Sequence, residues 1–138
     1  MVKSFSVSTD EIVENATKRM EAIVRQSVQE VVDIAQKPVA KGGKMRVDTG
    51  FLRASGQMSL SGVPTGPTRP ADDTAPGRYQ PDVTSVVISL GKFKLGDTIY
   101  FGWTANYAKY REVYDGFLAS AVQNWPAIVA KNIKAVQS

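Results

Sequence analysis

Seven aromatic residues fall between Tyr100 and Phe117, so one short segment holds most of the large apolar side-chain area with which this chain can build a core. Whatever fold forms has to draw on this segment for packing, with Trp125 close behind it. At 138 residues the chain fits one domain, residues 1–138, burying roughly two-thirds of the surface its unfolded form exposes.

Composition narrows the chemistry. The sequence has no cysteine, hence no disulfide, thiolate nucleophile or sulfur-ligated metal, and no histidine, the commonest general base and transition-metal ligand. Serine–histidine and cysteine–histidine catalysis are impossible within the chain, leaving carboxylate, lysine or tyrosine chemistry. No apolar run approaches 18 residues and no basic-then-apolar leader follows Met1, so neither a membrane span nor a secretory signal is expected.

The net charge of +4 is modest but uneven. Residues 1–40 carry five basic and six acidic side chains, whereas residues 41–62 carry Lys41, Lys44, Arg46 and Arg53 against Asp48 alone. Such a stretch suits an ordinary solvated loop, and equally a surface that meets nucleic acid or an acidic neighbour.

Residues 8–37 have the period of a long amphipathic helix: Ile12, Ala16, Met20, Ile23, Ser27, Val31 and Ile34/Ala35 recur at three- and four-residue steps. Ser8 with Glu11 forms a capping box, Val7 with Ile12 a hydrophobic staple, and Lys37-Pro38 a stop. A second line, Val13, Val24, Val28 and Val32, widens the apolar face beyond what one small sheet needs, leaving surface for another subunit. Asp48 or Thr49 suits the N-cap of a short turn over Gly50–Ala54, with Leu52 in the core and Arg53 placed to pair with Glu112 or with a neighbour's carboxylates.

Residues 56–62 read as an edge strand with Met58 and Leu60 on one face. Residues 62–82 form a proline-rich loop without apolar period, which buries too little by itself to offset its ordering; a neighbouring subunit is its expected support, through Pro64, Pro67, Arg69, Pro70, Arg78 and Tyr79. Asp72-Asp73 within it falls short of the ligand set of a calcium loop. Alternation over Val83–Leu90, a turn at Gly91–Gly96 and a return over Asp97–Trp103 predict a central hairpin, followed by an irregular segment at Asn106-Tyr107-Ala108. Asp115–Val136 is the expected last helix, capped by Asp115, kinked or divided at Pro126, with Trp125 in the core. The fold class expected is α+β: a long N-terminal helix, a small antiparallel sheet and a kinked C-terminal helix.

Three boxes in this order carry a resemblance. The first is Asp48-Thr49-Gly50-Phe51-Leu52-Arg53-Ala54-Ser55; the second runs from Gly102 and Trp103 through Tyr107-Ala108 to Glu112; the third is Gly116-Phe117-Leu118 with Ala121 and Trp125. Together they resemble the small tail-component, or tail-completion, family of long-tailed bacteriophages, whose members complete the tail or join it to the head. The chain departs from the pattern after Glu112, where Val113-Tyr114-Asp115-Gly116 delays the glycine that often follows closely. A lone D-T-G is also found in aspartic proteases, which need two such boxes.

The resemblance implies a virion structural protein made in the host bacterial cytoplasm: a homo-oligomeric ring at the head–tail junction, touching neighbouring neck or tail-tube rings, with phage DNA passing through its lumen. It implies no enzyme activity, cofactor, metal, membrane or small-molecule substrate. Tail terminator and head-closure rings share this description. A nucleic-acid-binding module, with Lys37, Lys41, Lys44 and Arg46 on phosphates and tyrosines for stacking, is the alternative from another class. A hydrolase built on Asp48 or Glu112 lacks a second carboxylate at a catalytic separation.

Overall fold

The computed structural model describes residues 2–47, 50–69 and 79–137, with side chains from Thr9 onward. Asp48, Thr49, Pro70, Asp72, Asp73 and Arg78 lie outside the described residues, and so do the expectations attached to them.

The fold is α+β. Helix α1 spans Val2–Gln36, followed by a 3-10 turn at Val39–Lys41, α2 (Phe51–Ala54), strand β1 (Gly56–Ser59), α3 (Thr84–Lys92), strand β2 (Tyr100–Trp103), α4 (Ala108–Asp115), α5 (Phe117–Val122) and α6 (Trp125–Gln137). The two strands pair antiparallel, Gly56 opposite Trp103 and Ser59 opposite Tyr100. α1 packs on α5 and α6, and α3 packs on β1.

At 35 residues α1 is about 50 Å long. It stops at Gln36 because Pro38 cannot continue it. Its start differs from expectation: Ser8 sits inside the helix, not at its cap, since no glycine or proline in residues 2–7 interrupts the preceding turns.

The central hairpin is not formed. Residues 84–92 are helical, and the strand that returns through Phe101 pairs with β1, more than forty positions earlier in the chain. The reason lies in the spacing of what is buried. Val86, Ser89, Leu90 and Phe93 are inside while Val87 and Ile88 are outside, a three-and-four rhythm that only a helix satisfies. The β-branched content of Val83–Leu90 loses to that packing. Serines complete the exchange: Met58 N–H donates to Ser85 Oγ (3.1 Å) and Ser89 Oγ donates to Met58 C=O (3.2 Å), so α3 satisfies the edge of β1 where a third strand would otherwise be needed. Asp82 accepts from Thr84 N–H at the start of α3, and Arg25 of α1 donates to the carbonyls of Leu90 and Phe93 at its end, both at 2.8 Å.

The core has two parts. One gathers Met45, Phe51, Leu52, Ala105 and Phe117, with Tyr79, Trp103, Tyr107 and Ala108 around them. The other gathers Val32, Met58, Val86 and Leu90, with Val28, Ile99 and Phe101 alongside. Trp103 joins them, edge-on to Phe101 at 5.1 Å and to Phe117 at 4.8 Å, its indole N–H held by Gln36 Oε1 at 2.7 Å.

The C-terminal helix divides as Pro126 requires, into α5 and α6 with a break at Gln123-Asn124. Asp115 does not cap it. That carboxylate is gripped bidentately by Arg111 one turn earlier, and Gly116, at φ +65°, takes the N-cap position. A further helix, α4, follows the irregular Asn106-Tyr107 pair, where the sequence had offered no helical signal beyond the box itself.

Candidate functional site

The three sequence boxes meet in space. Leu52 and Phe51 of the first, Tyr107 and Ala108 of the second and Phe117 of the third share one apolar cluster. Gly50 makes the first turn possible: at φ +91° it occupies the N-cap of α2 itself, and a Cβ there would lie 2.2 Å from the carbonyl oxygen of Tyr79. Only glycine fits. Ser55 ties this turn to the second box, its Oγ donating to Leu52 C=O (2.7 Å) and accepting from Ala105 N–H (3.2 Å).

Glu112 does not pair with Arg53. Its two carboxylate oxygens accept from Leu118 N–H (2.7 Å) and Ala119 N–H (3.0 Å), so it closes the exposed amide end of α5. The box glutamate is thus a helix cap acting across the Gly116 turn, which explains why a glutamate four residues before a glycine can begin a helix that carries no cap of its own. Arg53 is half-buried, and its Nε finds no hydrogen-bond partner among the described residues. Ala121 is fully buried, Gly102 stands in β2 opposite Gln57, and Trp125, expected in the core, remains 38% exposed on the rim of a groove.

The described part of the loop is fastened within the chain. Asn106 N–H donates to Thr68 C=O (2.8 Å), Thr104 Oγ1 to Pro67 C=O (2.6 Å) and Gln57 Nε2 to Gly66 C=O (2.9 Å). Its first part is therefore fastened to β1 and to the segment that follows β2. Tyr79 is half-buried against the core, edge-on to Phe51 at 5.3 Å, while Pro67 and Arg69 are exposed and Pro64 is half-buried.

After α1 the chain folds back in a compact clip. Val39 N–H donates to Met45 C=O and Met45 N–H to Lys37 C=O, burying Met45 completely and leaving Lys37, Lys41, Lys44 and Arg46 exposed around it. The basic stretch is thus a surface feature on a rigid base.

The leftover apolar face expected on α1 is present, and what sequence reasoning missed is where it lies and a second bare face on α4. On α1, Ile12 (66% exposed), Val13 (63%) and Met20 (54%) are bare. On α4, Tyr110, Val113 and Tyr114 at i, i+3, i+4 are all exposed, with Lys109 over the Tyr110 ring and Arg111 over that of Tyr114. The same three-four spacing that marks a buried face also marks an exposed one, so the period alone could not tell them apart. Between α1, β2, α5 and α6 runs an apolar groove of about 160 Å³, floored by Val28, Val31, Val32 and Ala35 and flanked by Trp103 and Trp125.

Two carboxylates among the described residues are shifted. Glu30 is held below the ordinary carboxylate range by hydrogen bonds from Lys131 and Asn132, and Asp82 by its bonds to Thr84. Both shifts stem from structural contacts. No cluster of three or more acidic side chains able to hold a metal occurs among the described residues, and no described helix is long and apolar enough to cross a membrane. The described surface carries bare apolar stripes, an apolar groove and a basic clip. Comparison with known protein families, curated proteins and solved structures returns no match.

Proposed function

We propose that this chain is a virion structural protein of a tailed bacteriophage, a subunit of the ring at the head–tail junction that completes the tail and connects it to the neck. The observation that carries this is the convergence of the three boxes on one cluster: Leu52, Ala108 and Phe117 pack together although more than fifty residues separate the first from the second. Residues that resemble a family motif and also form the joint between elements favour a shared architecture over chance similarity. The leftover apolar surface supports it further, since bare stripes of this size are what an obligate assembly covers.

In this role the chain does no chemistry. It contributes repeated contact area that closes a cyclic interface, and the lumen lets DNA pass. The box residues shape the subunit: Gly50 permits the turn, Glu112 caps α5, Trp103 joins the two core parts. Neighbouring neck or tail-tube rings are the partners.

The test is electron microscopy of particles assembled with and without the chain. A ring at the head–tail junction, and unjoined heads and tails in its absence, is the expected result. Complete particles assembled without it would refute the proposal.

A second reading has its own observation, the four exposed cations of the clip and the exposed Tyr110 and Tyr114 beside Lys109 and Arg111. A dedicated single-strand binder would use them for phosphates and stacking. Its affinity would fall steeply with salt and collapse in a Lys41→Glu/Lys44→Glu variant, whereas a ring subunit binds free DNA weakly with a shallow slope.

A further inference from the structure

The bare half of α1 and the groove lie on one molecule but face different ways. At about 100° per residue, Ile12, Val13, Ala16 and Met20 centre on a single line along the helix. Ser27 and Glu30 continue that line, and there α6 covers it: Asn132 Nδ2 donates to Ser27 Oγ (3.1 Å) and to Glu30 Oε2 (2.8 Å), and Lys131 pairs with Glu30. α6 runs antiparallel to α1, because Trp125 lies by Val28–Ala35 while Asn132 reaches back to Ser27. Its last described residue, Gln137, is five positions beyond Asn132 and so comes level with about residue 22 of α1. Past that point the same apolar line continues uncovered.

The groove residues of α1, Val28, Val31, Val32 and Ala35, centre about a quarter turn away from this line. Stripe and groove are therefore separate surfaces, so one copy can seat its stripe in a neighbour while a third copy fills its own groove, a heterologous contact; a reciprocal two-fold exchange would use the same two surfaces and stop at the dimer.

The two surfaces match in spacing and in charge. Val13 and Met20 are seven residues apart, as are Val28 and Ala35, so an antiparallel seat sets the first pair against the second over two turns. It also brings Asp10 and Glu11, at the start of the bare half, to the end of the groove where Lys37, Lys41, Lys44 and Arg46 stand exposed; Glu14, next along, is already paired with Lys18 at 3.0 Å. At a helix diameter's distance, about 10 Å, these charges still attract at moderate salt. The groove volume of about 160 Å³ has room for an inserted aliphatic side chain.

We propose that the bare half of α1 is received, head to tail, by the apolar groove of a second copy of this chain. The contact itself stands on the surfaces described; that the series closes into a ring rests on the junction reading above.

The chain's lack of cysteine allows a clean test. Met20→Cys and Leu118→Cys place thiols on the stripe and at the groove, both at exposed positions (54% and 40%), in one full-length chain. With a short bis-maleimide, a ladder of dimer, trimer and higher species is expected, lost when Ile12→Asp is added and absent in each single-cysteine chain. A product that stops at dimer, no cross-linking, or efficient linking of Met20→Cys alone would each overturn the head-to-tail contact. A ladder from a chain that forms no ring in virions would sink the junction reading and leave the contact; a virion ring without the ladder would do the reverse.

Discussion

The two halves of α1 share one helix and one apolar period, and they do opposite things. From Ser27 to Gln36 the helix is packed, with Ser27, Val32 and Ala35 buried, Gln36 holding Trp103 and Glu30 held by α6. From Thr9 to Met20 the same rhythm of Ile12, Ala16 and Met20 faces outward. Nothing in the residues of the two halves accounts for this. The difference is supplied by what arrives from later in the chain: β1, α3, β2, α5 and α6 cover one half, and α6 runs out before the other. An amphipathic period therefore identifies a face that seeks cover, and only tertiary structure says whether the chain covers it itself.

Substitutions can break this contrast at several strengths. The largest effect belongs to the core: Phe117→Ala, at a site 2% exposed, should cost about 3–5 kcal/mol by denaturant unfolding, and Trp103→Ala should be comparable because it also leaves Gln36 without its partner. Trp125→Ala should cost much less, roughly 1–2 kcal/mol, since that residue is already 38% exposed. A Trp125 loss equal to that of Phe117 would show that the groove rim is part of the core.

Next comes the buried polar joint of the packed half. Ser27 is fully buried and receives Asn132, so Asn132→Ala should cost about 1–3 kcal/mol by leaving Ser27 Oγ and a Glu30 oxygen short of a donor. Removing the α5 cap with Glu112→Ala should cost about 0.5–2 kcal/mol and raise hydrogen exchange at Leu118 and Ala119 first.

A pH dependence follows from Glu30. Its folded value is lowered, chiefly by the hydrogen bond from Lys131, so the folded state favours the ionised form. Its contribution to stability is full above the ordinary carboxylate value near 4.5 and is lost as pH falls through the lower, folded value. Melting temperature measured against pH should decline on that acid limb, and Glu30→Gln should flatten it. A limb unchanged by the substitution would assign the decline to other carboxylates.

Much of the fold could be read from the sequence, and for identifiable reasons. Pro38 and Pro126 forbid specific hydrogen bonds, so the end of α1 and the break before α6 were legible. Leu52 and Phe117 stood in boxes that could only face inward. The strand expected at Val83–Leu90 failed because alternation of Val, Ser and Ile also contains the i, i+3, i+4 set Val86, Ser89, Leu90, and the choice between them was made by Met58 and Ser85, 27 residues apart. The pairing of Arg53 with Glu112 failed for a similar reason: the carboxylate met the free amides of α5, invisible until Gly116 turned the chain. Long-range partners were the illegible part, for the site as for the fold.

The smallest expected change in stability carries the largest consequence for assembly. Ile12→Asp/Met20→Asp alters only exposed positions of the bare half, so its unfolding midpoint should stay close to that of the unaltered chain. Native mass spectrometry of both proteins across a concentration series compares the two halves of α1 most directly. The account predicts a closed homo-oligomer for the unaltered chain and a folded monomer for the variant. A chain that stays monomeric at every concentration, or a variant that keeps the same oligomer, would contradict it.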